Sequence, residues 1–385
     1  MREDWENGGF GLYIHWPFCQ AKCPYCDFNS HVVANIDQSA WKEAYLSEIR
    51  RVGAKTEGRI LRSVFFGGGT PSMMDPDLVD AILREVRATW GASNDIEITL
   101  EANPTSVEAG RFAGYREAGV NRVSMGVQAL NDTDLKALGR LHTASEAMQA
   151  FDVARSVFDR VSFDLIYARQ NQSVSAWELE LKQALNLAID HISLYQLTIE
   201  SGTAFGDRYA AGKLRGLPDE DNATDMFEVT QALCADAGFN AYEVSNHALA
   251  GQESRHNKVY WQYGDYVGIG PGAHGRVTLN GHRSATEAHM APAVWLNAVR
   301  KTGSGESERA ALSQNEETAE FLLMGLRLTE GVALSRLNSL SNQSYNSNIN
   351  NLLEIGMLEI QDGLLRTTTA GRPVLNAVLR QLLSD

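Results

Sequence analysis

The segment Gly11-Leu-Tyr-Ile-His-Trp-Pro17 reads as a β-strand, and Cys19-Gln-Ala-Lys-Cys23-Pro-Tyr-Cys26 follows it almost at once. Only one further cysteine, Cys234, occurs in the 385 residues. Thiols clustered in so cysteine-poor a chain point to metal or redox chemistry rather than to a disulfide framework. Thiolates are soft donors that favour iron–sulfur clusters, zinc and copper(I). A structural zinc site takes four protein ligands. Three thiolates on a cubane instead leave one iron open, which is a catalytic arrangement. Two other readings stay open on spacing alone: a C-x-x-C redox pair at Cys23 and Cys26, and a zinc knuckle. Cys234 lies in the helix-like Gln231–Gly238 and reads as an ordinary core thiol.

Outward from the cysteines, short β-like runs alternate with helical stretches. After Gly11–Pro17 come Ser63–Phe66, Ile96–Leu100, Arg122–Val127, Ser162–Tyr167 and His191–Leu197, with helices at Ser39–Val52, Asp75–Arg87 and Ala176–Leu187. Strands joined by helical crossovers imply an α/β fold with a parallel sheet. Six such units without a long interruption predict a partial (β/α)6 TIM-like barrel over residues 1–205. Residues 206–305 read as a connecting region: a loop at Gly202–Pro218, a helix at Asp219–Ala237 and a β-like run at Ala241–Val244. Residues 306–385 predict a C-terminal α+β winged-helix-like domain, with helices at Glu316–Leu328 and Ser344–Ile355. A hairpin at Met357–Ile360 and Leu364–Thr367, turning at Asp362-Gly363, and a final helix complete it.

The net charge is −14 and the isoelectric point about 5.2, which argues against nucleic acid as the main partner. Hydrophobic residues make up 44% and charged residues 21%, a globular balance. No segment approaches the apolar length of a membrane span. Met1–Gly9 is polar and acidic, unlike a secretory signal, so the cytoplasm is the expected location.

At the cysteine loop the chain resembles the radical S-adenosylmethionine (SAM) superfamily, whose signature has this spacing. The resemblance implies that Cys19, Cys23 and Cys26 hold a 4Fe–4S cluster whose open iron SAM chelates. Other motifs match in order: Gly67-Gly68-Gly69-Thr70-Pro71, Glu101-Ala-Asn-Pro104, Ser124-Met-Gly-Val-Gln128, Leu138-Gly-Arg140 and Phe163-Asp164-Leu-Ile-Tyr167. All but the fourth of these fall at or near the C-terminal end of a predicted strand, where barrels build their sites. Similarity to the coproporphyrinogen III dehydrogenase branch implies SAM contacts from Tyr13, Tyr25, Gly68, Gly69, Thr70, Glu101, Gln128, Arg140 and Asp164.

Within that branch the chain looks similar to the heme-chaperone family. The dehydrogenase signature continues to a fourth cysteine where this chain has Phe28. That enzyme also has a longer arm before its first strand than the ten residues here. His256-Asn-Lys-Val-Tyr260-Trp261 matches the HNxxYW motif of the heme chaperones, which implies His256 as the heme ligand. A helical segment would set His256 and Tyr260 on one face. On residues alone, a packed histidine is the commoner outcome. The family continues Gly-Leu-Pro-Gly-Gln after Tyr167, whereas this chain reads Ala168-Arg-Gln-Asn-Gln172, so the loop is expected to be reshaped. Gly270-Pro-Gly272-Ala-His-Gly275 satisfies G-x-G-x-x-G, but β-like Val277–Leu279 and the turn Asn280-Gly281 follow, so it is not a Rossmann turn.

The resemblance thus implies heme as cargo, a heme-accepting protein as partner, and no nucleic acid. A membrane-associated acceptor and a homodimer are open to it. Two rivals remain at this level: oxidative decarboxylation of coproporphyrinogen III by a 5′-deoxyadenosyl radical, and radical chemistry on another substrate.

Overall fold

Leu12, Ile14 and Trp16 are fully buried, and Tyr13 and His15 alternate with them. This is the two-residue period of a strand with an apolar and a polar face. The same alternation recurs along the sheet in Val64 and Phe66, Ile98 and Leu100, Val123 and Met125, Val161 and Phe163, and Ile192 and Leu194. These apolar rows belong to one core with the crossover helices. The intervening residues (Ser63, Thr99, Arg122, Ser124, Ser162, Ser193) are buried and polar. Arg122 donates to Ser162 Oγ at 2.9 Å, and Ser124 and Ser162 share a 2.9 Å hydrogen bond. The concave side of the sheet is therefore a hydrogen-bonded polar layer, and the convex side carries the helices.

The structure, a computed structural model, describes residues 3–33, 35–341 and 345–384. All six expected strands form: β1 (Phe10–Trp16), β2 (Ile60–Gly68), β3 (Gly91–Ala102), β4 (Arg122–Gln128), β5 (Arg160–Tyr167) and β6 (His191–Gln196). Each pairs in parallel with the next. The crossover helices include Gln38–Gly53, Pro76–Thr89, Ala144–Val157 and Val174–Leu187. Asp37, Thr143 and Ser173 cap three of these helices through their side chains. The sheet's two ends do not pair with each other, so the barrel is open.

The region expected only to connect does more. β7 (Asp265–Ile269) joins β1 in parallel. Then β8 (His274–Leu279), β9 (His282–Ala288) and β10 (Glu306–Ala311) extend that edge antiparallel. Gly270–Gly275 spans the turn from β7 into β8 and opens no helix. At the other edge Asn246–Ala248 pairs with β6 and with Asn240–Ala241, so of the expected run only Ala241 is in a strand, and Tyr242, Glu243 and Val244 lie outside it. Gly202–Pro218, read as a loop, contains the helix Ala204–Ala210, which the Thr203 hydroxyl caps at Gly206 N.

The C-terminal unit has its own core, including Phe321, Leu322, Leu352, Leu365, Leu375 and Leu382. Its helices are Gln314–Gly325, Leu334–Leu340, Asn346–Glu354 and Leu375–Leu382, and Val332–Ala333, Leu364–Thr367 and Leu358–Gln361 form a small sheet in that order. Ser344, the first residue of one expected helix, lies outside the described residues. Among the described residues no helix is long and apolar enough to cross a membrane.

Candidate functional site

The C-terminal ends of β1 to β5 converge on the cysteine loop. Cys19, Cys23 and Cys26, all free thiols, line a cavity of about 150 Å³ together with Tyr25, Gly68, Gly69, Thr70, Glu101, Gln128, Arg140 and Asp164. Eight of the nine residues carried over for SAM thus share one cavity wall. Tyr13 is the exception.

Backbone and side chains hold the loop in place. Its far end is latched by Asn29, whose amide donates to the carbonyls of Pro271 and Met290 at 2.9 Å each. His15 Nε2 lies 2.9 Å from the Asn29 carbonyl, and His15 Nδ1 lies 2.9 Å from the Tyr13 hydroxyl. On the cavity side Arg140 donates to Cys23 Sγ at 3.4 Å, to Asn103 Oδ1 at 2.7 Å and to the Gly126 carbonyl at 2.8 Å. Asn103 in turn donates to Thr70 Oγ1, and Thr70 donates to Cys19 Sγ at 3.4 Å. One polar chain therefore links two of the three sulfurs. Asn103 was hidden inside the quoted Glu101–Pro104 motif. Only the fold reveals that it bridges the thiol-facing groups.

Burial pushes the thiols of Cys19 and Cys26 up, so metal binding must supply the energy of deprotonation. Burial, and then the proximity of Asp164, raises the Glu101 carboxyl to about 8. Burial raises Asp164 to about 6, with Ser193 and Arg122 working the other way. Two carboxyls on one wall, each poised near neutrality, suit a ligand that brings positive charge.

Gln128 ends β4 at φ 73°, a left-handed conformation that a non-glycine residue holds only under constraint. A register shift between Met125 and Gln128 aims it at the cavity. Its Oε1 and the Arg140 Nε are buried without a protein partner. At Gly69 a Cβ would come within 2.6 Å of the Phe18 carbonyl oxygen, so only glycine fits this turn. Orphaned polar atoms, a glycine cradle and three thiols fit a polar ligand beside a cluster. When bound, a 4Fe–4S cluster with SAM supplies one-electron chemistry at the open iron.

Two of the carried-over residues, Tyr13 and His256, lie outside this cavity's lining. Tyr13 does not reach the cavity. Its ring stacks with Phe65 and His256 at 6.3 Å each, and its hydroxyl bonds His15. Tyr13 is tied to the cysteine loop through His15. His256 is 1% exposed, and both ring nitrogens are taken: Nδ1 by Ser63 Oγ at 2.8 Å and Nε2 by Tyr260 OH at 2.6 Å. Burial lowers it to about 3, and its ring stacks on Phe65 at 4.8 Å. The helix Arg255–Trp261 does set His256 and Tyr260 on one face, but that face packs against the barrel's polar layer. In this arrangement His256 is packed in the core, so ligating a heme iron would first require one of these two hydrogen bonds to open.

The stretch after Tyr167, where the sequence departs from the family, carries two left-handed positions. Ala168 and Asn171, standing where the family has glycines, lie at φ 57° and 58°. Arg169 is buried and pairs with Asp134 at 2.8 Å and with Glu180. It also donates to the Ile166 carbonyl at 2.8 Å. A buried ion network holds these left-handed turns.

A second cavity, of about 930 Å³, opens from the first. The two share Tyr25, Cys26, Phe28, Glu101, Gln128 and Asp164. Its far wall comes from the C-terminal unit, with Arg327, Arg372, Leu375 and Arg380. Sequence reading missed this wall, because nothing in the pattern of the last helix tells which of its residues overhang the barrel.

An open parallel barrel with a three-thiol loop over its strand ends defines the class as radical SAM proteins. The Radical SAM superfamily profile matches residues 13–179, and the HemN C-terminal domain profile matches residues 312–374. The chain is 36% identical to the heme chaperone HemW of Haemophilus influenzae, over 97% of this chain and 98% of that one. It is 39% identical to the mitochondrial radical S-adenosyl methionine domain-containing protein 1 of Bos taurus, over 97% and 87%. The fold is similar to that of coproporphyrinogen III oxidase (HemN) of Escherichia coli, with a TM-score of 0.81 at 20% identity, covering 98% and 90%. The chain belongs to the HemW family, within the HemN-like branch of radical SAM proteins.

Proposed function

We propose that this protein is a heme chaperone: it holds heme as cargo beside a 4Fe–4S cluster and SAM, and passes it to an acceptor protein. The observation that carries the reading is the 930 Å³ cavity, which opens directly from the cysteine loop and is roofed by the C-terminal unit. Its size lies within the roughly 300–1,000 Å³ of sites that enclose cofactor-sized ligands. Likeness over nearly the whole chain to relatives called heme chaperones supports heme as the occupant.

In this reading Cys19, Cys23 and Cys26 ligate the cluster. Tyr25, Gly68, Gly69, Thr70, Glu101, Gln128, Arg140 and Asp164 hold SAM, with Glu101 and Asp164 facing its cationic end. Residues 306–385 act as the roof of the cargo site. The protein works in the cytoplasm, and its acceptor is a second protein.

The test is anaerobic incubation of the cluster-reconstituted protein with heme and, separately, with coproporphyrinogen III. The expected result is heme uptake, seen as a Soret band, and no protoporphyrinogen. Phe28 in place of the dehydrogenase's fourth cysteine favours this outcome. Robust decarboxylation would overturn the reading and move the protein to the dehydrogenase class.

A further inference from the structure

The large cavity is electrically two-sided. On the barrel side it is lined by Glu101, Asp164, Glu200 and Glu220, and on the C-terminal side by Arg327, Arg372 and Arg380. Among the described residues none of these three arginines has an acidic partner within ion-pair distance, whereas buried Arg169 and Arg283 do. Arg372 Nη2 is buried without any hydrogen-bond partner, and its Nη1 has only the Leu326 carbonyl at 3.5 Å. Burial and the neighbouring Arg327 charge lower the Arg372 guanidinium to about 10, with Glu243 opposing. The unpartnered guanidinium nitrogen of half-buried Arg372 is costly unless an anion completes it, and half-buried Arg327 and exposed Arg380 add their positive charge to the same wall. Their planar forks fit carboxylates in particular.

Across from them, Tyr25 and the 58%-exposed Phe28 offer aromatic surface at the point where the two cavities meet. A large apolar side chain left open there is unexplained by packing. A flat aromatic ligand would cover it.

We propose that Arg327, Arg372 and Arg380 form the carboxylate-binding wall of a tetrapyrrole site, gripping the propionates while the macrocycle lies against Tyr25 and Phe28 over the barrel mouth. The inference rests on the heme-carrying reading and adds to it the orientation of the cargo. The propionate edge points to the C-terminal unit, away from the acidic barrel floor. Cargo binding then also clamps the roof onto the barrel.

The experiment titrates the reconstituted protein with protoporphyrin IX and with its dimethyl ester, following porphyrin fluorescence, and with heme, following the Soret band. Wild type is expected to bind the free acid at least tenfold more tightly than the ester. The double variant Arg372→Gln/Arg380→Gln is expected to lose that preference, with SAM affinity and cluster iron unchanged. Equal affinity for acid and ester in wild type would overturn the proposal. So would a preference retained by the double variant. The wild-type comparison stands even if the variant does not fold. Binding of protoporphyrin IX but not heme would overturn the chaperone reading, while the acid–ester contrast still decides the arginine wall. Failure to bind either tetrapyrrole would overturn both.

Discussion

Glu101 and Asp164 sit on the cavity wall with the Gly68 amide donating to Glu101 Oε2 at 3.3 Å and the Ser124 hydroxyl to Asp164 Oδ1 at 3.4 Å. Burial raises Glu101 from 4.5 to about 8, so the folded protein keeps a proton that the unfolded chain has lost. The stability this group contributes is full below about pH 4.5 and falls as pH rises through about 8. For one full proton the slope reaches about 1.4 kcal/mol per pH unit. Without SAM, the urea midpoint of wild type should therefore drop between pH 5 and 8. Glu101→Gln should flatten that profile, and parallel profiles would contradict the assignment. The cysteines make a second test at this scale. Replacing Cys19, Cys23 or Cys26 with Ala should abolish stable cluster assembly, whereas Cys234→Ala, deep in the core, should not. Iron and sulfide analysis after anaerobic reconstitution decides it; a full complement in Cys19→Ala would end the cluster assignment. The thiols were legible because their spacing is local. The carboxyls' neighbour relation was not, since Glu101 and Asp164 meet only when β3 and β5 flank β4.

Elements explain why some motifs mean what they seem to and others do not. The turn after β5 keeps positive φ at Ala168 and Asn171. Alanine has no polar side chain to ease that conformation, and its Cβ crowds the backbone. Ala168→Gly should therefore stabilise the protein by about 1 kcal/mol. Asn171→Gly should gain less, because asparagine tolerates the left-handed region. Chemical denaturation of the two variants checks the order, and a loss of stability in Ala168→Gly would refute the strain. The helix Arg255–Trp261 gives the opposite lesson. The sequence shows its amphipathic register, and His256 and Tyr260 do meet. What no local pattern reveals is that this face turns into the barrel, where Ser63 on β2 takes the other nitrogen. His256→Ala should leave the Ser63 and Tyr260 hydroxyls unpaired and cost about 2–4 kcal/mol. Its main readout is thus the denaturation midpoint. A wild-type midpoint with an altered heme Soret band would instead restore His256 as a ligand.

At the scale of the molecule, the question is what holds the C-terminal unit over the barrel mouth. The six parallel strands were readable from alternation and the winged unit from its hairpin turn, but the added edge strands were not, and the fastening between barrel and C-terminal unit comes from residues far apart in sequence. Arg276 on β8 forms a forked pair with Glu320, with contacts of 2.7 and 3.0 Å, and Tyr263 OH donates to the same carboxylate at 3.1 Å. Arg336 pairs with Asp4 at 2.7 Å and donates to the Gln262 carbonyl at 2.7 Å. Tyr263 itself is buried in the C-terminal core. Removing one partner of a half-buried forked pair leaves the other charge unsatisfied, at about 1–3 kcal/mol. Glu320→Ala should therefore loosen the roof without disturbing the cysteine loop, which is latched separately through Asn29. Amide exchange in Leu375–Leu382 should speed up, and porphyrin affinity should fall if the cargo bridges roof and barrel. Cluster iron and SAM affinity should stay at wild-type levels. Unchanged exchange in that helix would mean that the pair does not fasten the roof. Lost SAM binding would mean that roof and barrel floor are one cooperative unit, and that cargo and cofactor cannot be released separately.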